Sequence, residues 1–239
     1  MERPLLVSVD EWNNLEWLEQ AQSLLEWLNN IDSGPILLMV RHSERTEDID
    51  VPTTIRAELT DLGHQIAIEF GRRIPEKWRV SIYHSPHART TQTAERISEG
   101  LQDQGTELVE TESLNVLLGG RGDIEQIITL AHQSGFDEFY NQWVQKQIPF
   151  DTLEPIDDYL QRLTGTIVAR FSEAGPDDLH LYVTHDIVVA ASRMAYLDLS
   201  FDDGLAIPFF GGFGISLTDG KLVGFNKGEM VNVTRNLFT

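Results

Sequence analysis

Imidazole, guanidinium and carboxylate side chains follow three short apolar runs of this 239-residue chain. These side chains belong to Arg41, His42, Arg89, His185 and Asp186. The runs cover residues 36–40, 79–83 and 179–184, and each has the length of a buried strand. Because the carboxyl ends of parallel strands meet at one edge of a sheet, the side chains would share one pocket. The sequence therefore predicts a phosphate pocket that contains a nucleophile.

The residue types in this pocket fit phosphoryl transfer. A neutral imidazole such as that of His42 can attack phosphorus, and the resulting phosphohistidine is hydrolysed or passed to an acceptor. The transition state spreads negative charge over the equatorial oxygens, which planar guanidinium groups bind two at a time. Arg41, Arg45 and Arg89 fit this role, with His185 as a further donor. The leaving alkoxide needs a proton, and Asp186 is the candidate acid.

Helical periodicity alternates with the apolar runs and predicts an α/β fold. The predicted helices cover residues 60–73, 87–101, 122–147, 156–174 and 187–196. This alternation implies a three-layer sandwich, with a mostly parallel central sheet and helices on both faces. Residues 108–109 are a further strand candidate, and residues 214–225 predict a hairpin with a type I′ turn at Asp219-Gly220.

Residues 9–30 predict one amphipathic helix, because apolar side chains recur there at helical spacing. We assign residues 1–30 to an N-terminal helical extension and residues 31–239 to the catalytic domain. The apolar stripe of the extension needs a surface that covers it. That surface is either the domain itself or a partner, which includes a second copy of the chain.

Composition excludes several classes of protein. The chain has 38 acidic and 18 basic residues and a net charge of −20, which disfavours binding to nucleic acid and to anionic membranes. No apolar stretch approaches the length of a membrane-spanning helix. The absence of cysteine excludes disulfides and a cysteine nucleophile, and together with the lack of a secretory-type leader it favours a cytoplasmic protein. The histidines show no metal-ligand spacing, so we expect neither metal nor cofactor.

Four short motifs occur in order along the chain. They read Arg41-His42-Ser43-Glu44-Arg45, Leu59-Thr60-Asp61-Leu62-Gly63-His64-Gln65, Ser85-Pro86-His87-Ala88-Arg89-Thr90-Thr91-Gln92-Thr93-Ala94 and Thr184-His185-Asp186. From about residue 36 onwards the chain thereby resembles the histidine phosphatase superfamily, the phosphoglycerate mutase and acid phosphatase fold. The resemblance implies that His42 is the phosphorylated nucleophile. It also implies that Arg41, Arg89 and His185 complete the phosphate pocket.

Two positions depart from the pattern of that family. Ser43 stands where the family usually has glycine, so we expect it to tighten the pocket or to contact the substrate through its hydroxyl. Val116 stands where mutase-like members place an acidic Glu. The missing Glu argues against a mutase-type proton donor.

Two other features resemble the acid-phosphatase branch of the family. These are Arg45 and the His185-Asp186 pair. On this basis we assign the proton donor to Asp186, with Glu112 and Asp123 as the alternatives. Asp186 could also serve only as a cap for the helix that follows it.

The sequence as a whole predicts a metal-independent phosphomonoesterase that forms phospho-His42 and acts on a small phosphorylated substrate. A phosphomutase of the same fold and a catalytically weak phospho-ligand binding protein are the alternatives. Residues 46–57 and 115–155 are the segments expected to set specificity. His84, His87 and the glycine-rich residues 119–122 are further candidates for the pocket.

Overall fold

A mixed sheet forms the centre of the computed structural model, which describes residues 7–46, 51–199, 207–218 and 220–234. Within these residues the strands are β1 (Ile36–Arg41), β2 (Arg79–His84), β3 (Glu107–Ser113), β4 (Asp178–Thr184), β5 (Gly212–Thr218), β6 (Lys221–Asn226) and β7 (Glu229–Asn232). Their order in the sheet is β3-β2-β4-β1-β5-β6-β7. The first four run parallel and the last three pair antiparallel. The predicted α/β class is confirmed.

Helices cover both faces of this sheet. In the described part of the chain they are α1 (Val9–Asn14), α2 (Glu19–Asn30), α3 (Val51–Arg56), α4 (Asp61–Arg73), α5 (Ala88–Gln104), α6 (Ile124–Ser134), α7 (Phe136–Val144), α8 (Ile156–Phe171) and α9 (Asp186–Leu197). Short 3-10 helices span Glu16–Leu18 and Asn115–Leu118. The strand predicted at residues 108–109 is the longer β3. Asp219 of the predicted hairpin turn lies outside the described residues.

Two predicted helices are interrupted in the structure. The helix predicted over residues 9–30 breaks at Leu15, whose backbone is extended (φ −81°, ψ 103°), so α1, a 3-10 turn and α2 replace it. The helix predicted over residues 122–147 breaks at Gly135, whose φ of 84° no helix accommodates. Both corrections concern continuity, because the segments on either side of each break are helical.

Alternating side chains of β1 enter two separate hydrophobic cores. Ile36, Leu38 and Val40 belong to the core that includes side chains of α2, α4 and α5. Leu37 and Met39 belong to the core on the other face, with side chains of α6 to α9. This alternation follows from the two-residue period of a strand and produces the predicted three layers.

The N-terminal residues pack against the sheet of the same chain. Trp12 and Leu28 are buried in the first core, and Trp27 stacks on Phe225 of β6 with ring centroids 5.3 Å apart. The Trp27 ring also lies over Gly214 of β5, where a Cβ would come within 2.1 Å of a ring carbon. The sheet thus covers much of the apolar stripe. Separate status for residues 1–30, and a partner for them, stay predictions.

The order of the strands brings three sequence motifs together. β1 pairs with β4, and β4 pairs with β2, so the carboxyl ends of these strands lie side by side. Backbone hydrogen bonds continue the pairing beyond the strands, from His42 N to Thr184 O at 2.9 Å and from Ser85 N to Val183 O at 3.2 Å. The backbones that carry His42, His185 and Ser85 are therefore fixed relative to one another.

Candidate active site

His42 follows the last residue of β1, is 2% exposed and lines the cavity. Its Nδ1 lies 2.7 Å from the carbonyl oxygen of Ser43, which only accepts, so Nδ1 carries the proton. Nε2 accepts a hydrogen bond from Arg89 Nε at 3.2 Å. Burial, together with Arg41 and Arg89, holds the pKa of His42 well below its usual 6.5. The imidazole is therefore neutral and has its lone pair on Nε2, as a nucleophile requires.

Arg89 connects the two histidines of the pocket. It lies in the first turn of α5 and donates from Nε to His42, from one terminal nitrogen to Thr54 O at 3.1 Å, and from the other to His185 Nδ1 at 3.3 Å. These contacts hold the guanidinium in one orientation before any anion binds. Such preorganised donors stabilise developing charge without a reorganisation cost.

His185 follows β4 and is held through both ring nitrogens. Nδ1 accepts from Arg89, so Nε2 carries the proton and donates to Ser85 Oγ at 2.8 Å. Burial and the nearby Arg89 hold the pKa of His185 well below 6.5. Its ring centroid lies 5.6 Å from that of His42 and 5.1 Å from that of His87. The predicted pair of imidazoles is therefore close together in the structure.

Arg41 and Asp186 form an ion pair at the rim of the pocket. Arg41 Nη2 lies 3.2 Å from Asp186 Oδ2, and Nη1 donates to Ile207 O at 2.6 Å. The guanidinium also lies 4.6 Å above the centre of the Phe209 ring. Asp186 accepts from Ile187 N at 2.8 Å while lining the cavity, so it supports the start of α9 and faces the pocket at once.

The two alternative proton donors lie elsewhere. Glu112 accepts from Arg170 of α8 at 2.7 Å, and Asp123 caps α6 by accepting from the backbone of Glu125. Neither lines the cavity, and Val116 is buried in the second core. Among the described residues that line the cavity, Asp186 is the only one with a carboxylate.

Ser43 corrects an expectation about substrate contact. Its hydroxyl donates to Gly63 O at 2.8 Å, and its backbone nitrogen donates to Thr93 Oγ1 at 3.1 Å. The side chain is fully buried and does not line the cavity. The reason is the close approach of α4: a Cβ on Gly63 would come within 2.0 Å of Glu44 O. Ser43 therefore fastens the loop after β1 to α4 and does not contact the cavity.

Arg45 and His87 line the cavity with the residues above. Arg45 donates to Thr46 O at 3.0 Å. Burial and Arg89 lower the pKa of His87 to about 4, and its buried Nδ1 has no hydrogen-bond partner among the residues that the structure describes. His84, the other flanking histidine, lies outside the cavity and contacts Ser85 O through Nδ1. The sequence alone did not show which of these two histidines lines the cavity.

Phe209 is a site residue that the sequence did not reveal. It lies under the Arg41 guanidinium, and its ring centroid is 5.8 Å from that of His42. No motif marks it, since it lies in a short apolar stretch before β5 that is typical of a buried strand start. Thr54, which accepts from Arg89 through its carbonyl, also went unpredicted as an individual residue.

The cavity and its open mouth together span about 820 Å³, part of which is open solvent. Its polar end consists of the arginines and histidines described above, of which the arginines carry the positive charge. The opposite wall comes from residues 118–153, within the segment expected to set specificity. Across the described ranges no group of three or more potential ligands could hold a metal ion, and no helix is long and apolar enough to cross a membrane.

Comparison with known proteins gives a family match and structural neighbours. Residues 37–221 match the model of the histidine phosphatase superfamily, branch 1. YhfR of Bacillus stearothermophilus superposes with a TM-score of 0.55 at 22% identity, covering 82% of this chain and 97% of its own. A mycobacterial glucosyl-3-phosphoglycerate phosphatase gives a TM-score of 0.56 at 17% identity, covering 83% and 96%. No curated protein matches the sequence significantly.

Both activities known from the fold occur among these neighbours. A phosphoglycerate mutase from Bacillus anthracis gives a TM-score of 0.54 at 16% identity, with 85% of this chain and 94% of its own covered. The residues that resembled the acid-phosphatase branch, Arg45 and the His185-Asp186 pair, thus occur in a chain that matches branch 1. Those residues are therefore no guide to the branch.

Proposed function

Because the chain belongs to the histidine phosphatase superfamily, we propose that it is a metal-independent phosphomonoesterase that forms phospho-His42. The observation that carries the proposal is the state of His42. Its Nδ1 proton is held by Ser43 O, and its Nε2 lone pair lies beside Arg89 in an open cavity. A neutral imidazole with a fixed tautomer is the form that attacks phosphorus.

In the first step, His42 Nε2 bonds to phosphorus as the bond to the leaving oxygen breaks. Arg89 Nε gives up its contact with Nε2 and donates instead to a non-bridging oxygen, and Arg41 and Arg45 bind the other oxygens. The Nδ1 proton stays with Ser43 O and keeps the phosphorylated ring oriented. The negative charge of the phosphoryl group favours protonation of His185, which then donates through Nδ1 as well.

Asp186 is the proposed acid for the leaving oxygen. Its carboxyl proton passes to the oxygen as the ester bond breaks, and the resulting carboxylate then takes a proton from the attacking water. Water bonds to phosphorus, the bond to Nε2 breaks, and inorganic phosphate and neutral His42 are regenerated. Asp186 is proposed because it is the one carboxyl group among the described residues that line the cavity. Its ion pair with Arg41 favours the charged carboxylate, so the proposal requires that Arg41 turn to the phosphate when the substrate binds and leave Asp186 free to hold a proton.

A specific observation favours a phosphatase over a phosphomutase. The position of the mutase-type Glu is occupied by buried Val116, so the cavity has no second carboxylate among its described lining residues. A binding protein without turnover is disfavoured because the proposed nucleophile His42 and the proposed acid Asp186 both line one cavity, and binding alone would not need both. Names of structural neighbours include phosphatases, which supports the same choice.

The His42→Ala variant tests the proposal. We expect turnover of p-nitrophenyl phosphate to be lost while the fold survives, because residue 42 supplies the nucleophile. His64→Ala is the matched control, since this histidine contacts Arg96 and lies outside the cavity. Alkaline quench of wild type during turnover should preserve a phosphoprotein that acid quench destroys. Retention of more than a few per cent of activity by His42→Ala would overturn the nucleophile assignment.

A further inference from the structure

The cavity has two chemically different ends. The polar side chains described above cluster at the carboxyl ends of the parallel strands. The opposite wall consists of side chains from α6, α7 and their flanking loops. In the described part of the chain these residues are Leu118, Gly119, Gly120, Ile124, Ile127, Ile128, Ala131, Phe136, Phe139, Trp143 and Leu153. All of them are apolar or glycine.

This wall has little to offer a hydroxyl group. Trp143 is the one residue in it with a polar side-chain atom, and its Nε1 donates to Glu154 O at 2.7 Å. The adjacent Gly120 is closely packed, since a Cβ there would lie 2.8 Å from Leu153 Cδ1 and 3.0 Å from Trp143, so it contributes no side-chain partner either. Sugar hydroxyls against this wall would lose water without gaining partners, which is costly for buried polar groups.

The apolar surface continues from the cavity to the solvent. Ile124 and Phe136 line the cavity and are also 39% and 53% exposed, so the apolar wall reaches the surface at these two side chains. Beyond Phe136 and Phe139 lies a second hollow of about 340 Å³, whose lining is mixed: Ile187 and Ala190 are apolar, and Asp137, Tyr140 and Asp186 are polar. An alkyl or aryl group that extends away from the phosphate end could therefore stay in contact with apolar side chains as far as the rim of the cavity.

From this arrangement we infer that the substrate is the phosphate monoester of a largely apolar alcohol, and not a sugar phosphate. The inference rests on the proposed phosphatase function and specifies its substrate class. The phosphoryl group would bind beside His42, and the alkyl or aryl group would lie along α6 and α7. Burial of apolar surface then supplies the binding free energy that hydroxyl contacts supply for sugars.

A chain-length series tests the inference. The purified full chain is assayed with ethyl, propyl, butyl and hexyl phosphate, whose primary alkoxide leaving groups are chemically alike. We expect kcat/KM to rise about three- to fourfold per added methylene until the wall is covered. Glycerol 1-phosphate has the carbon count of propyl phosphate and two more hydroxyls. Its kcat/KM should therefore be lower than that of propyl phosphate by about tenfold or more.

Two variants locate the effect in the wall. Phe136→Asn removes a half-exposed apolar side chain from the wall, and it should reduce the hexyl-to-ethyl ratio of kcat/KM severalfold. A thermal melt of the variant checks that it is folded. Phe150→Asn is the matched control, because Phe150 is 83% exposed and lies outside the cavity, and the ratio should not change.

The outcomes separate the inference from the function on which it rests. A flat chain-length series, with glycerol 1-phosphate hydrolysed at least as well and turnover still dependent on His42, overturns the inference and leaves the phosphatase proposal intact. No phosphate release from any ester, including p-nitrophenyl phosphate, overturns both. A rising series that Phe136→Asn flattens and Phe150→Asn does not would support both.

Discussion

Replacing Asp186 with asparagine separates proton donation from pocket structure. Asparagine keeps the size of the side chain and can still accept the hydrogen bond from Ile187 N. It carries no acidic proton, and it removes the negative charge beside Arg41. The variant therefore loses the acidic proton and the ion pair with Arg41 at once. The relative contributions of these two losses decide how kcat/KM changes.

The expected loss differs by substrate. The Arg41–Asp186 pair is partly exposed, with side-chain exposures of 18% and 38%, and such pairs contribute about 0.2–1 kcal/mol, which is about fivefold in rate at most. General acid catalysis contributes about 10²–10⁴-fold. An alkyl phosphate needs the proton and should lose the full amount. Nitrophenolate leaves without help, so p-nitrophenyl phosphate should lose only about fivefold or less.

The assay is kcat/KM on hexyl phosphate and p-nitrophenyl phosphate for wild type and Asp186→Asn. Asp123→Asn is the matched control, since this residue caps α6 outside the cavity and asparagine is an equally good cap. We expect the control to change neither substrate. Equal losses on both substrates in Asp186→Asn would refute the acid assignment and show that Asp186 acts through Arg41.

Three further predictions follow from other contacts. Arg89→Lys should lower kcat/KM about 10²–10³-fold, because lysine cannot replace the three-way contact of the guanidinium; wild-type-like kinetics would contradict this. The pKa of His87 is about 4 in the folded chain and 6.5 in the unfolded chain, so the unfolded state binds more protons between these two values. The free energy of unfolding therefore falls as pH drops from 6.5 to about 4. In urea titrations His87→Gln should make this fall with pH shallower, and an unchanged pH dependence would assign it to other groups. Gly214→Ala should destabilise by about 1–3 kcal/mol because Trp27 occupies the space, whereas Gly165→Ala, with nothing within 4 Å in α8, should stabilise slightly; equal effects would show that the Trp27 contact is unimportant.

The convergence of the motifs could be predicted from the sequence, because it depends only on the local pattern of a motif directly after an apolar run. Each motif follows an apolar run, and adjacent parallel strands bring their ends together whatever the loops do. Arg41, His42, Arg89 and His185 were found in this way. Asp186 was found as a neighbour of His185, and the structure places it on the cavity.

Other features depend on contacts between distant segments and left no local signal. The direction of the Ser43 hydroxyl is set by the close approach of Gly63. Phe209 reaches the site only after the chain has returned beyond α9. The apolar wall was equally hidden, because an apolar residue such as Ile128 has the same periodicity whether its helix face meets the core or a cavity.

The concentration of cationic groups at one end of the cleft has a kinetic consequence in a chain of net charge −20. An anionic ester must diffuse through a repulsive field before it meets the arginines, which act only at short range. Added salt screens that field beyond a Debye length of about 8 Å at physiological ionic strength. Encounter should therefore become faster with moderate salt, opposite to the behaviour of basic phosphate-binding proteins. Each additional phosphate on a ligand increases its repulsion by the chain, so ligands of higher negative charge should encounter His42 more slowly.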